Sequence, residues 1–305
     1  MINISARKIL FSIAGIFVCS AVAPLPCFTQ IASAQQDAQA QAEQRRLSAI
    51  LRKSKDYCRR LEKAALDFVC LEEVTERFDR TKEFIQSLPS VGRDGRLRTE
   101  TIQTTKKKRE SNKYLYDYQF IRKNQLTKEK RNLLEVNGKK KNIKDSSLHT
   151  TMFQYENVLF GPVGLLSESW QRYYDFKLVG EDSINGEQAV VIDATPRPSL
   201  YGAHCYGKIW VREDDGSVIK IVWDQKSIGN FKSVEEWAKK QKSEPQITSI
   251  SEYGFEKNGL RFPSRDYTEE AYIKEDKKKF VRAETTVVYK DYKFFVVETE
   301  INIRR

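Results

Sequence analysis

The chain is short of the side chains that most often carry catalysis. It has only two histidines, His149 and His204, a poor supply for metal binding or general acid–base work. His149 lies in the polar segment SSLHTT. His204 adjoins Cys205, and two adjacent residues alone do not fill a coordination shell. A glycine-rich phosphate loop is also missing: GPVG at 161–164 is too short and has no lysine in place. The serines of LSES and DSS lack the context of a nucleophile elbow. Asp214 and Asp215 fall in a turn, where aspartate is common. Glu235-Glu236 and Glu269-Glu270 read as solvated or as straddling two faces. The common enzyme classes are therefore excluded, and neither a cofactor nor a metal is expected. A histidine–serine hydrolase centred on His149 is the weakest reading that remains. Beyond the N-terminus no apolar run is long enough to span a bilayer, and the chain has no internal repeat.

What the sequence has in excess is positive charge. Its 53 lysines and arginines against 42 acidic residues leave a formal charge of +11. Lysine runs recur at 106–108, 139–141 and 277–279, at expected strand ends or loops. One reading is solvation and protection of sheet edges. The other makes Lys277, Lys278 and Lys279 a docking surface for anionic lipid headgroups. Tyr114, Tyr116 and Tyr118 alternate as a strand would, and export argues against a nucleic-acid partner.

Export is read from the N-terminus. Arg7 and Lys8 precede the apolar run ILFSIAGIFVCSAVA, and small residues follow at Ala32 to Ala34. This is the three-part pattern of a secretory signal, with cleavage expected after Ala34 and the periplasm as destination. Residues 35–45 read as a disordered lead and residues 46–305 as one domain. Cys27 follows a proline, which suits a lipoprotein cleavage site badly.

Of the cysteines beyond the signal, Cys58 falls on the apolar stripe Leu47, Ile50, Leu51, Ser54, Leu61 and Ala65 of an expected helix over 45–66. Cys70 lies in a following strand. Climbing the helix to its end covers about 12 Å, and returning in extended form covers about 13 Å. The two sulfurs then come level, so a Cys58–Cys70 disulfide is the natural expectation in an oxidising compartment. Two buried thiols are the alternative. Cys205 is left over, as a buried thiol, an intermolecular partner or a rival for one of the other two.

Strands dominate the rest. Hairpins are expected over 111–142, around Asn185-Gly186, and around Asn258-Gly259 with Phe255 opposite Phe262. A long strand places Val281, Ala283, Thr285, Val287 and Tyr289 on one face. A helix is expected in FGPVGLLSESWQRYY, with Val163, Leu166, Trp170 and Tyr173 together, and a shorter one around Trp237. The segment GKIWVREDDGSVIKIVW reads as a hairpin with a three-residue loop and Gly216 left-handed. That register pairs Val211 with Ile219, Ile209 with Ile221 and Gly207 with Trp223. Lys208, Trp210, Arg212, Val218, Lys220 and Val222 fall on the other face.

This hairpin, followed by YGFEKNGLRFPSRDY, resembles the outer-membrane lipoprotein-sorting (LolA-like) carriers and their superfamily. The wider group includes mycobacterial lipid carriers and a periplasmic regulator of envelope stress. The resemblance implies an α+β fold: a curved, unclosed antiparallel half-barrel with an N-terminal helix and helices in its concave side. It implies a non-enzymatic carrier or binder of acyl chains or lipidated proteins, monomeric and with no nucleic-acid partner. Ile209, Val211, Ile219, Ile221 and Trp223 would line the cavity. The helix bearing Leu166 and Trp170 would be a removable lid. In the alternative reading the same face is filled core, and the protein is an envelope scaffold or stress-sensing module that binds a protein partner.

Overall fold

The computed structural model describes residues 27–79, 87–91, 97–101, 109–123, 126–150, 158–198 and 204–295. Two units divide the chain, residues 1–43 and 44–305. In the first, the described residues belong to helix α1 (Cys27–Ala64), which ends in the second. The segment 35–45, expected to be a disordered lead, is helical. Its run of Gln, Ala, Glu and Arg contains neither Gly nor Pro, and most of these residues favour a helix. Arg7, Lys8 and the whole apolar run of the expected signal lie outside the described residues. So does the lysine run at 106–108.

The second unit carries β1 (Phe68–Asp79), β2 (Ser87–Val91), β3 (Leu97–Thr101), β4 (Arg109–Lys123), β5 (Leu126–Val136) and β6 (Lys139–Ile143). Two short helices follow, α2 (Gly161–Leu166) and α3 (Glu168–Gln171). Next come β7 (Tyr174–Ile184), β8 (Glu187–Pro196), β9 (Gly207–Val211), β10 (Val218–Trp223) and α4 (Phe231–Lys240). The chain continues with β11 (Ser243–Glu252), β12 (Phe255–Lys257), β13 (Leu260–Phe262), β14 (Arg265–Lys274) and β15 (Lys279–Phe294).

Eleven strands form one antiparallel sheet in the order β6-β5-β4-β1-β15-β14-β11-β10-β9-β8-β7. The sheet curves into a half-barrel and does not close, so β6 and β7 are its edges. β6 is KKKNI and fully exposed, a lysine-coated edge that disfavours pairing with another chain.

Alternation sorts the residues of each strand. On β1, Phe68, Cys70, Glu72, Val74, Glu76 and Phe78 are buried, and the residues between them are more exposed. Tyr114, Tyr116, Tyr118 and Phe120 of β4 are buried on the same inner face. They join Leu47, Ile50, Tyr57, Cys58 and Leu61 of α1 in the main core. A second cluster sets Val234 and Ala238 of α4 against Ile247 and Tyr272. The β12–β13 hairpin adds Phe262, 5.2 Å from the Phe68 ring, and Phe255, stacked on Tyr292 at 4.5 Å.

Several expectations hold. Phe255 pairs with Phe262, and β7 turns into β8 at Asn185-Gly186. The 111–142 hairpin is β4–β5. Others need correction. The β9–β10 loop has the four residues Glu213 to Gly216, because Arg212 pairs with Ser217 through Arg212 N–H to Ser217 O at 2.9 Å. Val211 therefore faces Val218, and a bulge at Ile219 restores the expected Ile209–Ile221 and Gly207–Trp223 pairs. Val218 takes the core position assigned to Ile219. Gly216 is left-handed as expected (φ +72°), and its backbone lies against Lys53 and Ser54 of α1.

The single helix expected within 160–174 is broken at Ser167, whose backbone is extended (φ −69°, ψ 160°). The expected Cys58–Cys70 disulfide is absent: both are free, buried thiols. Cys58 turns toward Pro162, its Sγ 3.5 Å from the Pro162 carbonyl oxygen, and Cys70 contacts Tyr292. Level sulfurs are not enough when the two side chains leave their elements in different directions. Cys205 is free and exposed.

Candidate functional site

The inner face of β8–β10 is an apolar floor. Ile192, Ile209, Val211, Val218 and Ile221 are buried within the main core. Ile219 is also buried, but its bulge takes it out of that set. Trp223 is half-buried at the edge of the floor.

α2 covers this floor. Pro162 stands at the start of the helix, where its missing N–H costs nothing. Val163, Leu165 and Leu166 are buried, with Val158 and Leu159 of the preceding turn. Gly161 makes the close approach possible. A Cβ there would sit 3.2 Å from the Trp223 ring and 3.4 Å from Ile221, and closer still to the Tyr253 hydroxyl. Trp170 on α3 is half-buried and packs 5.8 Å from Tyr173 and 5.3 Å from His204. Leu166 and Trp170 thus sit on two helices with one break between them.

Few polar contacts hold the cover. The Tyr253 hydroxyl donates to Val158 O at 2.8 Å, and the Gln171 amide donates to Leu51 O at 2.8 Å and to Leu166 O at 2.6 Å. Lys55 pairs with Glu168 at 2.9 Å on the surface. Neither helix has a side-chain N-cap. Helices of six and four residues are unstable alone, so burial against the floor supplies most of their hold.

The middle of the inner face is different. Glu72, Glu76, Arg131, Asp266, Thr268, Glu270 and Thr285 are all buried there. Arg131 grips Glu72 in a fork at 2.6 and 3.0 Å and reaches Glu129 at 2.8 Å. The Tyr289 hydroxyl donates to Glu72 at 3.1 Å and Tyr118 donates to Glu129 at 2.6 Å. Burial pushes the Glu72 carboxyl up, and the Arg131 charge and hydrogen bond oppose it. Asp266 accepts from Ser251 at 2.5 Å, and burial pushes it up to about 7. The sequence reading missed this strip because single Ser, Thr and Glu residues in strands look solvated. Thr285, between Ala283 and Val287 on the apolar face, was the available signal.

The remaining candidates are scattered. Lys277 is exposed in a left-handed turn, Lys278 pairs with Asp276 at 3.0 Å and Lys279 with Glu269 at 2.6 Å. His149 Nε2 lies 3.0 Å from the Ser146 hydroxyl on the surface, with no carboxylate on the imidazole among the described residues.

No family model and no curated protein sequence matches the chain. Solved structures do. A domain of unknown function (DUF1329) from Desulfovibrio piger aligns with 82% of this chain and 95% of its own, at 14% identity and TM-score 0.33. A putative outer-membrane lipoprotein-sorting domain from Vibrio parahaemolyticus aligns over the same shares at 9% identity and TM-score 0.36. The Pseudomonas aeruginosa MucA/MucB complex aligns with 80% of this chain and 99% of that one, at 13% identity and TM-score 0.21. The superfamily named from the hairpin phrases is among those returned. Superpositions this loose carry no functional inference, so the function is read from the chain's own residues.

Proposed function

We infer that this protein is a non-enzymatic binder of acyl chains in the cell envelope, either free or attached to a protein, and that α2–α3 is its displaceable cover. One observation carries the reading. A continuous apolar floor is covered by two uncapped helices of six and four residues. Their hold is the burial of a few aliphatic side chains, and an acyl chain offers the same burial at about 0.8 kcal/mol per methylene. Chain and cover are thus interchangeable in kind. The secretory pattern of the N-terminus supports the periplasm as the site of exchange. Exposed Lys277 beside Lys278 and Lys279 would bring the protein to an anionic membrane. Binding of an unlipidated protein partner over a permanently filled core is the alternative.

The test is native mass spectrometry of protein purified from its own periplasm, followed by lipid extraction. Stoichiometric lipid supports the binder. Bare protein that also refuses a neutral naphthylamine dye supports the filled core. Leu165→Ala with Leu166→Ala sharpens the result. A weakened cover should bind the dye more tightly while the fold loses stability; weaker binding would make the helix plain core. Replacing Lys277, Lys278 and Lys279 with Gln should reduce co-sedimentation with anionic vesicles at low salt. Unchanged co-sedimentation removes the docking role.

A further inference from the structure

The strand register lays a polar row across the inner face. Trp223 of β10 stands beside Ser249 of β11, and Ser249 beside Thr268 of β14. Thr268 stands beside Thr285 of β15, and Thr285 beside Glu76 of β1. Asp266 and Glu270 flank Thr268 on the same face of β14, two residues to either side. Apart from half-buried Trp223, every member is buried, with Asp266 at 3% exposure and Thr285 and Glu270 at 0%.

Some of these groups are satisfied. Thr268 bonds Ser249 at 3.4 Å, Asp266 accepts from Ser251, and Glu270 accepts from Arg282 at 2.6 Å and from Tyr272. Three oxygens are not: Asp266 Oδ1, Glu270 Oε2 and Thr285 Oγ1 are buried without a hydrogen-bond partner. An unpaired buried acceptor forfeits the hydration it had in the unfolded chain. Two of these are carboxyl oxygens and the third is a hydroxyl that can donate or accept, so the row, which includes three acids, is rich in acceptors. Among the described residues no three metal-ligating groups gather closely enough to cage an ion. Any partner that brings N–H or O–H donors would satisfy the two carboxyl oxygens.

The row also adjoins the apolar floor. Trp223 belongs to both, with its ring against α2 and its Nε1–H donating to Ser251 at 2.9 Å. Ser251 in turn donates to Asp266.

We propose that this row is a headgroup subsite, and that the amphiphile taken into the concavity bears a donor-rich amine or amino-alcohol head rather than a carboxylate or phosphate. The inference rests on the acyl-binding reading above and narrows its ligand class. A protonated amine supplies three donors, enough to meet both Asp266 Oδ1 and Glu270 Oε2, and its charge favours the ionised form of the acids it meets. A carboxylate or phosphate head would bring like charge and further acceptors to a row already rich in both.

Displacement of the neutral dye by dodecylamine, dodecanol and laurate, matched in chain length, tests it with the intact chain. The amine should displace about tenfold more tightly than laurate, or better, the worth of one charge-assisted hydrogen bond. Asp266→Asn with Thr285→Val should bring the ratio toward one while dodecanol keeps its affinity. Glu270→Gln alone should reduce the ratio in part and is the milder change if the double variant folds poorly. Equal displacement by amine and laurate, or a ratio that survives the substitutions, would overturn the subsite and leave acyl binding standing. Failure of the dye and of all three amphiphiles to bind would overturn both.

Discussion

The two halves of the inner face are built on opposite principles. Under α2, the floor of β8–β10 is aliphatic, and what covers it is held by shape and burial. From β11 to β1 the same face carries buried acids and hydroxyls, and Arg131 reaches in from β5 to fork onto Glu72. An apolar surface accepts any cover of the right shape, because dispersion and burial have no direction. A buried polar surface accepts only a partner whose donors meet its acceptors. Affinity is therefore expected to reside in the first region and selectivity in the second.

The largest expected effect breaks the polar half. Arg131→Met strands the fully buried Glu72 without the arginine that forks onto it and should cost about 3–5 kcal/mol in urea unfolding. Replacing Glu72 and Arg131 together with apolar residues should recover much of that. A loss no larger than for a surface arginine would show the fork to be dispensable.

Next comes pH. Asp266 is held at about 7 against an ordinary 3.8 by burial, with the Ser251 hydrogen bond and Arg265 opposing and Glu72 and Glu252 adding to it. Because the folded value is raised, its contribution to stability is full below pH 4. It is lost as pH rises through 7, by up to about 4 kcal/mol. Asp266→Asn should flatten thermal stability over that window. An unchanged slope would move the ionisation elsewhere.

A smaller effect tests the apolar half. Gly161→Ala puts a methyl against Trp223, Ile221 and Tyr253 and should cost about 1–3 kcal/mol. It should also shift tryptophan fluorescence as α2 lifts, and an unmoved spectrum would mean that the floor yields instead. The smallest effect lies outside both halves. Lys279→Gln removes a pair between an exposed lysine and the half-buried Glu269 and should change stability by about 1 kcal/mol or less.

How much of this was legible in the sequence depended on the length of each turn. Asn185-Gly186 and Asn258-Gly259 are two-residue turns that fix their own register, so Phe255 was placed against Phe262 correctly. In the β9–β10 hairpin a longer loop and a bulge offset each other. Ile221 was therefore placed correctly and Ile219 was not, since a bulge leaves no mark on composition. The break at Ser167 escaped because helical spacing continues across it from Leu166 to Trp170. The cysteines misled because axial distance is readable from a sequence and side-chain direction is not. The polar row was invisible for a deeper reason: it emerges only when β1, β15, β14, β11 and β10 are set side by side, and their residues lie up to 209 positions apart in the chain.

The open seam between β6 and β7 has a mechanical meaning. A closed barrel has its bore dictated by strand number and stagger, so a larger cargo must break pairing somewhere. An arc with two unjoined ends has no such sum to satisfy. Its radius is a soft coordinate: each pair of neighbouring strands turns a little, every ladder bond is kept, and the mouth widens. Were an amphiphile taken into the concavity as proposed, the distance between the two edges, reported by a pair of labels, would follow its girth.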